Sequence, residues 1–394
     1  ANETPTYVAA GGSHTADIQG LLTFFSKAAN DPRFNATNIL TQIDLAYKLS
    51  FIERMIYRFV LIPITKKRLI EQGEEFGWAA SRPDWGPGRD APMNLTKFNF
   101  LQMPLDDSID NTDFPSIWYL KVREGRPEKR LNLDGASPVI RTVLIDSALG
   151  IGGTDTPFFH QRMEELEAWL KALPPPAYPE ALGIDRDLAA QGEPIFRQHC
   201  ADCHATDQTD NRMGTVIPLD EVGTDRERAD TWSQRAADLA NEKVASLGIQ
   251  RAPMGKFDGY VALPLTGVWL KGPYLHNGAV PTLRDLLNPP AERPKAFYRG
   301  YDVLDADNVG FISKRCVTPE NDKTVAQYNA CTDHVAGVGE ACVPGFVDDK
   351  GYLVTQRAWC FDTAERGNGN GGPLFGTDLP AAGKDALIEY LKTL

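Results

Sequence analysis

The sequence predicts a mainly α-helical protein with two domains and a loop-rich insertion that carries cysteines. Apolar residues recur every three or four positions in several long stretches, whereas alternating strand patterns are scarce. The proline-rich segment "KALPPPAYPEAL", Lys171 to Leu182, predicts a stiff linker, which places the two domains at residues 1–174 and 175–394. Four cysteines fall in a loop-like stretch of about residues 289–364.

Helical patterns can be followed along the whole chain. Thr15 or Asp17 is expected to cap the first helix, and a long helix is expected over residues 38–59. The helix predicted for residues 156–173 ends at the linker because proline stops a helix. After the linker, helices are predicted over residues 185–200, 225–248, 281–287 and 380–394.

The composition argues against several classes of partner. The 394 residues are 42% hydrophobic and 24% charged, with a formal net charge of -12. This charge argues against binding to nucleic acid or to an anionic membrane surface. The most apolar run, Met55 to Ile64, is interrupted by Arg58 and Pro63 and is too short to span a bilayer, so a buried helix is expected. The chain starts at Ala1, as cleavage of a signal peptide would leave it, so an exported, periplasmic protein is expected.

The four late cysteines predict two disulfides and hence an oxidising compartment. They are Cys316, Cys331, Cys342 and Cys360, and the sequence does not choose among their three possible pairings. The alternative is a zinc site built from four thiolates. Zinc sites built from cysteines typically contain a C-x-x-C pair. The four late cysteines contain no such pair, so disulfides are favoured.

The stretch "FRQHCADCHATDQ" contains the pattern C-x-x-C-H, which is typical of covalent attachment of a c-type haem. Thiols at this spacing, Cys200 and Cys203, reach two vinyl groups on one edge of a porphyrin, and His204 then supplies the proximal imidazole to the iron. A thioredoxin-type pair needs a βαβ setting, a zinc ribbon needs a second C-x-x-C, and a plain disulfide leaves His204 unexplained. The pattern occurs once, so one covalent haem is expected, with His199 peripheral to it.

Several stretches resemble the rubber-oxygenase-like branch of the dihaem cytochrome c peroxidase superfamily. They are "PLTGVWLKGPYLHNGAVPTLRDLL" (264–287), "PPAERPKAFYRGYDVLDADNVGF" (289–311), "GNGNGGPLFGTDL" (367–379) and the shorter "DWGPGR", "DFPSIW" and "LNLDGA" in the first half. The resemblance implies two cytochrome c-like helical domains, each formed around a haem. The C-terminal haem would pass electrons, and the N-terminal haem would carry out peroxide or dioxygen chemistry.

This sequence departs from the family pattern in two places. No C-x-x-C-H precedes residue 200, and Asn132 and Leu133 stand where the family has a His-Trp pair. We therefore expect only the C-terminal domain to hold a covalent haem, and the family's oxygenase activity is not carried over. In the family, a Gly-His pair before the last helix supplies the distal iron ligand, but the matching positions here are Gly372 and Pro373.

The sixth iron position therefore has several candidates, each with a plainer interpretation. His276 is a ligand or distal residue, or a hydrogen-bonding neighbour of a propionate, which the resemblance favours. Met254 is a thioether ligand or an ordinary core methionine. His334 is a ligand delivered by the disulfide-tied loop, or an exposed loop histidine. Met213 is expected to pack beside the haem.

The favoured function is electron transfer by an exported one-haem cytochrome with an unidentified redox partner, towards whose basic patch the acidic charge would steer it. The alternative is a haem oxidoreductase of peroxidase or oxygenase type, or a gas-binding protein, with an open distal position and His276 beside it. A third hypothesis is a non-covalent cofactor held in the N-terminal region by His14 or His160. The resemblance also implies a possible calcium ion, bound partly by the backbone carbonyls of residues 262–267.

Overall fold

The computed structural model describes residues 16–207, 211–300, 304–311, 313, 346–347, 353–354 and 359–394. Within these residues the protein is mainly helical, as predicted. The α-helices are α1 (Ile18–Asn30), α2 (Ala36–Ala46), α3 (Phe51–Ile56), α4 (Ile62–Glu75), α5 (Pro92–Asn94), α6 (Ile140–Gly150), α7 (Pro157–Ala172), α8 (Arg186–His199), α9 (Ala201–His204), α10 (Leu219–Val222), α11 (Glu227–Thr231), α12 (Gln234–Ser246), α13 (Leu283–Leu286) and α14 (Ala381–Leu391).

The described strands are short and form antiparallel pairs. They are β1 (Arg89–Asp90) with β2 (Thr112–Asp113), β3 (Val216–Pro218) with β4 (Gly259–Val261), β5 (Ala296–Arg299) with β8 (Trp359–Asp362), and β6 (Phe346–Val347) with β7 (Leu353–Val354). None of the described helices is long and apolar enough to cross a membrane.

Residues 17–84 form one compact unit, which contains α1 to α4. Asp17, one of the two caps predicted for this helix, caps α1 by accepting a hydrogen bond from the Gly20 N–H. The prediction of a single helix over residues 38–59 is wrong. It is interrupted between α2 and α3 because Ser50 and Glu53 form a capping box that starts a new helix.

The prediction of a buried helix at Met55 to Ile64 is also wrong. A π-helix (Tyr57–Leu61) joins α3 to α4 in this segment, and most of its apolar side chains are exposed, although Ile62 is buried. A unit of this size has too little interior to cover every apolar side chain, because a small domain buries a smaller fraction of its surface.

The second unit contains Ala16 and residues 85–394. This division does not coincide with the predicted boundary between residues 174 and 175. The Trp118 indole donates to Thr266 O at 2.7 Å, and the Trp269 indole donates to Pro176 O at 2.9 Å. Because the two sides of the proline-rich segment share these bonds and one apolar core, the segment lies inside the unit.

Helix α8 leads into the C-x-x-C-H motif and packs tightly against the C-terminal helix α14. Phe196, Leu387 and Leu391 are buried in the core that these two helices share. Gly192 lies against the α14 backbone, where a Cβ would stand 2.0 Å from Ala386 O. A glycine is required at this position because any side chain would separate the two helices.

A buried network of charges lies in the same unit. Arg228 is 3.0 Å from Asp110 and 3.1 Å from Asp134, and all three side chains are almost fully buried. Arg299 pairs with the buried Asp113 at 2.6 Å. Breaking such a pair by removing one partner is costly because the other charge is left unpaired in the interior.

The predicted insertion is described only in part. Strands β5 and β8 pair across it, and Cys360 on β8 is disulfide-bonded. Cys316, Cys331 and Cys342 lie outside the described residues. The disulfide connectivity therefore stays a prediction.

We expect Gly192→Ala to lower the free energy of unfolding by about 1–3 kcal/mol, the usual cost of overpacking, although alanine favours helix formation. The physical reason is that the Cβ would overlap the α14 backbone. Gly383→Ala in α14 is the matched control, because a Cβ there meets only ordinary contacts at 3.5 Å and beyond. Urea denaturation followed by circular dichroism measures both; equal stability of the two variants would contradict the prediction.

A second prediction concerns Asp90, whose pKa is raised to about 8 by burial and then by the neighbouring Asp110. Above its normal pKa of 3.8, the unfolded chain releases a proton that the folded chain keeps, so this group makes stability fall as pH rises from there to about 8. Asp90→Asn removes that dependence. We expect its stability advantage over wild type to grow with pH across this window in urea titrations, whereas the exposed Asp238→Asn should follow wild type.

Candidate haem-binding site

The C-x-x-C-H motif lies at a helix end. Helix α8 ends at His199, the Cys200 N–H donates to Phe196 O at 2.9 Å, and α9 forms the next turn. This turn brings Cys200, Cys203 and His204 to the wall of one cavity of about 410 Å³. That volume lies within the range of small-molecule and cofactor sites, about 300–1,000 Å³.

His204 is held by a hydrogen bond from its Nδ1 to the carbonyl oxygen of Leu263, at 2.6 Å. A carbonyl only accepts, so Nδ1 carries the proton and Nε2 keeps a free lone pair. Burial lowers the pKa of His204, which favours the neutral imidazole. A neutral ring, fixed in one tautomer by a backbone carbonyl, is the usual state of a metal-binding histidine.

The two cysteines are free thiols in the structure. Burial, followed by the neighbouring Cys203, raises the pKa of Cys200 to about 11, and burial also raises the pKa of Cys203. Reactive redox cysteines and thiolate metal ligands have lowered pKa values, so these raised pKa values argue against a redox pair.

Three residues that line the cavity each have a buried side-chain polar atom with no hydrogen-bond partner among the described residues. These atoms are the hydroxyl oxygens of Thr224 and Thr266 and Nε2 of His276. An unsatisfied buried polar group costs about 1–3 kcal/mol, so their clustering around one cavity points to a bound group with polar atoms. A haem, with its iron and two propionates, fits this set of side chains.

Several contacts fix the position of His276. Its ring stacks on Tyr260, with centroids 4.2 Å apart and planes 18° apart, and its carbonyl accepts hydrogen bonds from Thr112 Oγ1 and the Asp113 N–H. Its pKa falls to about 3, because of burial first and the nearby Arg228 and Arg89 next. The ring is therefore neutral, immobilised and beside the cavity.

Lys271 is a site residue that sequence reasoning missed. It lines the cavity and makes no ion pair with any described residue. Burial is the main cause that lowers its pKa. Arg212, another cation on the wall, is already engaged by Glu221 at 2.7 Å. Lys271 is thus the available partner for a propionate. Its place two residues before "PYLHNG" was the signal that could have found it.

The first half of the chain contributes to the same wall. Trp118 and Leu133 line the cavity, and Leu133 O accepts a hydrogen bond from the Val261 N–H at 2.7 Å. Pro373 and Phe375 also line it, so the segment where the family has Gly-His does reach the cavity. Its contribution here is apolar.

Two of the other predicted candidates lie away from this wall. The prediction of Met254 as a sixth ligand gains no support, because its side chain packs in a separate core around Trp232 and Met93. The geometric reason is that Asn241 fixes the Met254 backbone against α12. Met213 is buried, but it is not among the residues that line the cavity.

The remaining histidines differ in where they lie relative to the cavity. His199, expected to be peripheral, is half-buried and lines the cavity. His160 is half-buried on α7 and pairs with Asp155 at 2.6 Å. His14 and His334 lie outside the described residues. A cofactor site at His14 or His160 therefore gains no support.

The possible calcium site also gains no support. Ala262 O, Leu263 O and Thr266 O already accept hydrogen bonds from Gly214, His204 and Trp118. Within the part of the chain that the structure describes, no group of three or more His, Cys, Asp or Glu side chains could hold a metal ion. Calcium stays a prediction.

Comparisons with known proteins agree with this site. Residues 259–298, which include His276, Lys271 and Leu263, match the family model described as RoxA-like, cytochrome c-like. This match supports the rubber-oxygenase-like branch.

Two relatives come from Sinorhizobium fredii. The uncharacterized protein y4iM is 31% identical over 72% of this chain and 64% of its own length. The uncharacterized protein y4iJ is 28% identical over 56% of this chain and 41% of its own length. The chain thus spans less than two thirds of either relative. Residues 259–298 are thus similar to a cytochrome c-like domain, and such a domain implies binding of haem c.

Proposed function

We propose that this protein is an exported c-type cytochrome, with one haem attached to Cys200 and Cys203, and that it transfers electrons. The observation that carries the proposal is the hydrogen bond from His204 Nδ1 to Leu263 O, beside Cys200 and Cys203 on the wall of one cavity. It leaves the Nε2 lone pair of His204 free, and three other lining residues have a buried polar atom without a hydrogen-bond partner among the described residues. When bound, haem c supplies a one-electron iron couple.

The side chains of this site have separate tasks. Cys200 and Cys203 hold the haem edge, and His204 binds the iron. The largely apolar wall keeps water from the iron, and the potential of a haem depends on such burial as well as on its axial ligands. Lys271 lines the cavity and would be the cation available to pair with a propionate.

We propose His276 as the sixth iron ligand. His276 lines the cavity, its buried Nε2 has no hydrogen-bond partner in the part of the chain that the structure describes, and its ring is neutral. A cationic group would suit a propionate better, and Lys271 provides one. An iron with two imidazole ligands is six-coordinate, and six-coordinate haems favour electron transfer over binding of dioxygen or peroxide.

The second candidate function is a haem oxidoreductase or gas-binding protein with an open distal position. One observation favours it: Pro373 and Phe375 bring apolar groups to the wall where the family places a distal histidine. In that case His276 remains a distal neighbour. Carbon monoxide distinguishes the two functions, because it binds only to an iron with an open or readily exchanged position.

Charge and compartment complete the proposal. The formal net charge of -12 would steer the protein towards a basic patch on its redox partner. Export to the periplasm would place the chain where c-type haems are attached in bacteria.

We expect reduced wild-type protein to show no Soret shift with carbon monoxide, because His276 occupies the sixth position. His276→Ala should bind carbon monoxide, and added imidazole should restore the wild-type spectrum. Met254→Leu is the control and should behave as wild type, because Met254 packs in another core. Rapid binding to wild type would instead establish the open-site function, and an unresponsive His276→Ala variant would exclude this residue as ligand.

Covalent attachment can be tested by mass. We expect the denatured wild-type protein to retain the mass of one haem, because a single C-x-x-C-H occurs. Cys200→Ala and Cys203→Ala should each keep one thioether, with a shifted pyridine haemochrome band. The double variant should release all haem on denaturation. A second covalent haem in the wild-type mass would overturn the proposed haem count.

A further inference from the structure

We propose that the helical segment 51–68 binds an anionic phospholipid membrane surface by lying flat upon it. The evidence is a row of exposed apolar side chains, here called the apolar stripe: Phe51, Ile52, Met55, Ile56, Phe59, Val60 and Ile64. This inference is independent of the proposed haem function, because the stripe belongs to the compact unit of residues 17–84.

The stripe has helical spacing and high exposure. Its members recur as neighbouring pairs every four residues, so they share one side of the helix that runs through α3, the π-helix and the start of α4. Phe51 is 78% exposed, Ile52 70% and Phe59 62%, whereas Ile62 on the same helix is buried. The buried side of the helix is therefore already used, and the stripe has no partner among the described residues.

The segment 48–68 has an excess of cations, although the chain has a formal net charge of -12: it contains six Lys or Arg residues and one acidic residue, Glu53. Its cations also meet acidic groups just outside the segment, because Arg54 pairs with Asp44 and both Lys67 and Arg68 pair with Glu71. Lys67 and Arg68 nevertheless remain 76% and 78% exposed, so they stay accessible to a surface. Lys67 and Arg68 continue the helical spacing of the stripe beyond Ile64, and Arg58 lies over the ring of Phe59. Exposed aromatic and aliphatic side chains flanked by cations are typical of a helix that lies in a membrane interface.

The excess of cations in this segment favours an anionic bilayer over a second copy of the chain as the partner of the apolar stripe. In a two-fold symmetric dimer the same surface faces itself, so the stripe would bring its own cations together. An anionic bilayer instead offers phosphate groups to the cations and acyl chains to the apolar side chains. The overall net charge predicted no affinity for an anionic membrane, but the local charge of this segment reverses the expectation.

The test is flotation of the full-length haem-loaded protein with two kinds of vesicle. One contains phosphatidylcholine alone, and the other contains phosphatidylcholine and phosphatidylglycerol in equal parts. We expect binding to the anionic vesicles and little to the neutral ones. Neutralising Arg58 and Lys67 as Arg58→Gln/Lys67→Gln should weaken binding by about fivefold for each cation lost, and added salt should do the same.

The apolar contribution is tested separately. Ile52→Asp/Phe59→Asp should abolish flotation, because it places carboxylates in the apolar layer. Ile151→Asp is the matched control: Ile151 is 80% exposed but lies in the other unit, so binding should be unchanged. Circular dichroism and the Soret band verify that each variant is folded.

Three outcomes would overturn the proposal. Equal flotation with both vesicle types would show that the cations are not recognised. Equal losses from Ile52→Asp/Phe59→Asp and from Ile151→Asp would show that the stripe is not the contact. Absence of flotation, with a dimer in analytical ultracentrifugation that Ile52→Asp/Phe59→Asp dissociates, would assign the stripe to a second copy of the chain.

Discussion

The candidate site depends on one hydrogen bond, from His204 Nδ1 to the carbonyl of Leu263. Leu263 follows β4, which pairs with β3, so the acceptor belongs to a fixed piece of backbone. The donor belongs to α9, the turn that contains both cysteines. Tautomer, ring orientation and the position of the attachment motif are thereby set together.

The position of α9 in turn depends on how closely α8 and α14 pack. Gly192 allows the α14 backbone to approach, and Leu387 and Leu391 fill the core beneath the motif. The C-terminal helix thus forms part of the cavity wall as well as closing the chain. A change in the spacing of these helices would move the thiols relative to Leu263, which is why helix packing and cofactor geometry are coupled here.

The sequence predicted what depends on local patterns and missed what depends on distant contacts. The attachment motif follows from its spacing. Helix α8, which leads into the motif, and the C-terminal helix α14 follow from their periodicity, and the structure has both within a few residues of their predicted bounds. Met254 was a reasonable ligand by its distance along the chain, but Trp232 and Asn241 hold it in another core. The stripe was misjudged because an apolar run does not reveal whether a partner helix exists to cover it.

The first half of the chain has a physical role even without its own haem motif. Trp118 and Leu133 close the cavity, and Thr112 and Asp113 hold the carbonyl of His276, which places its ring against Tyr260. Leu133 gives the wall an apolar side chain in this segment. Removing these residues would therefore open the cavity to water and release the backbone contacts that place His276 beside it.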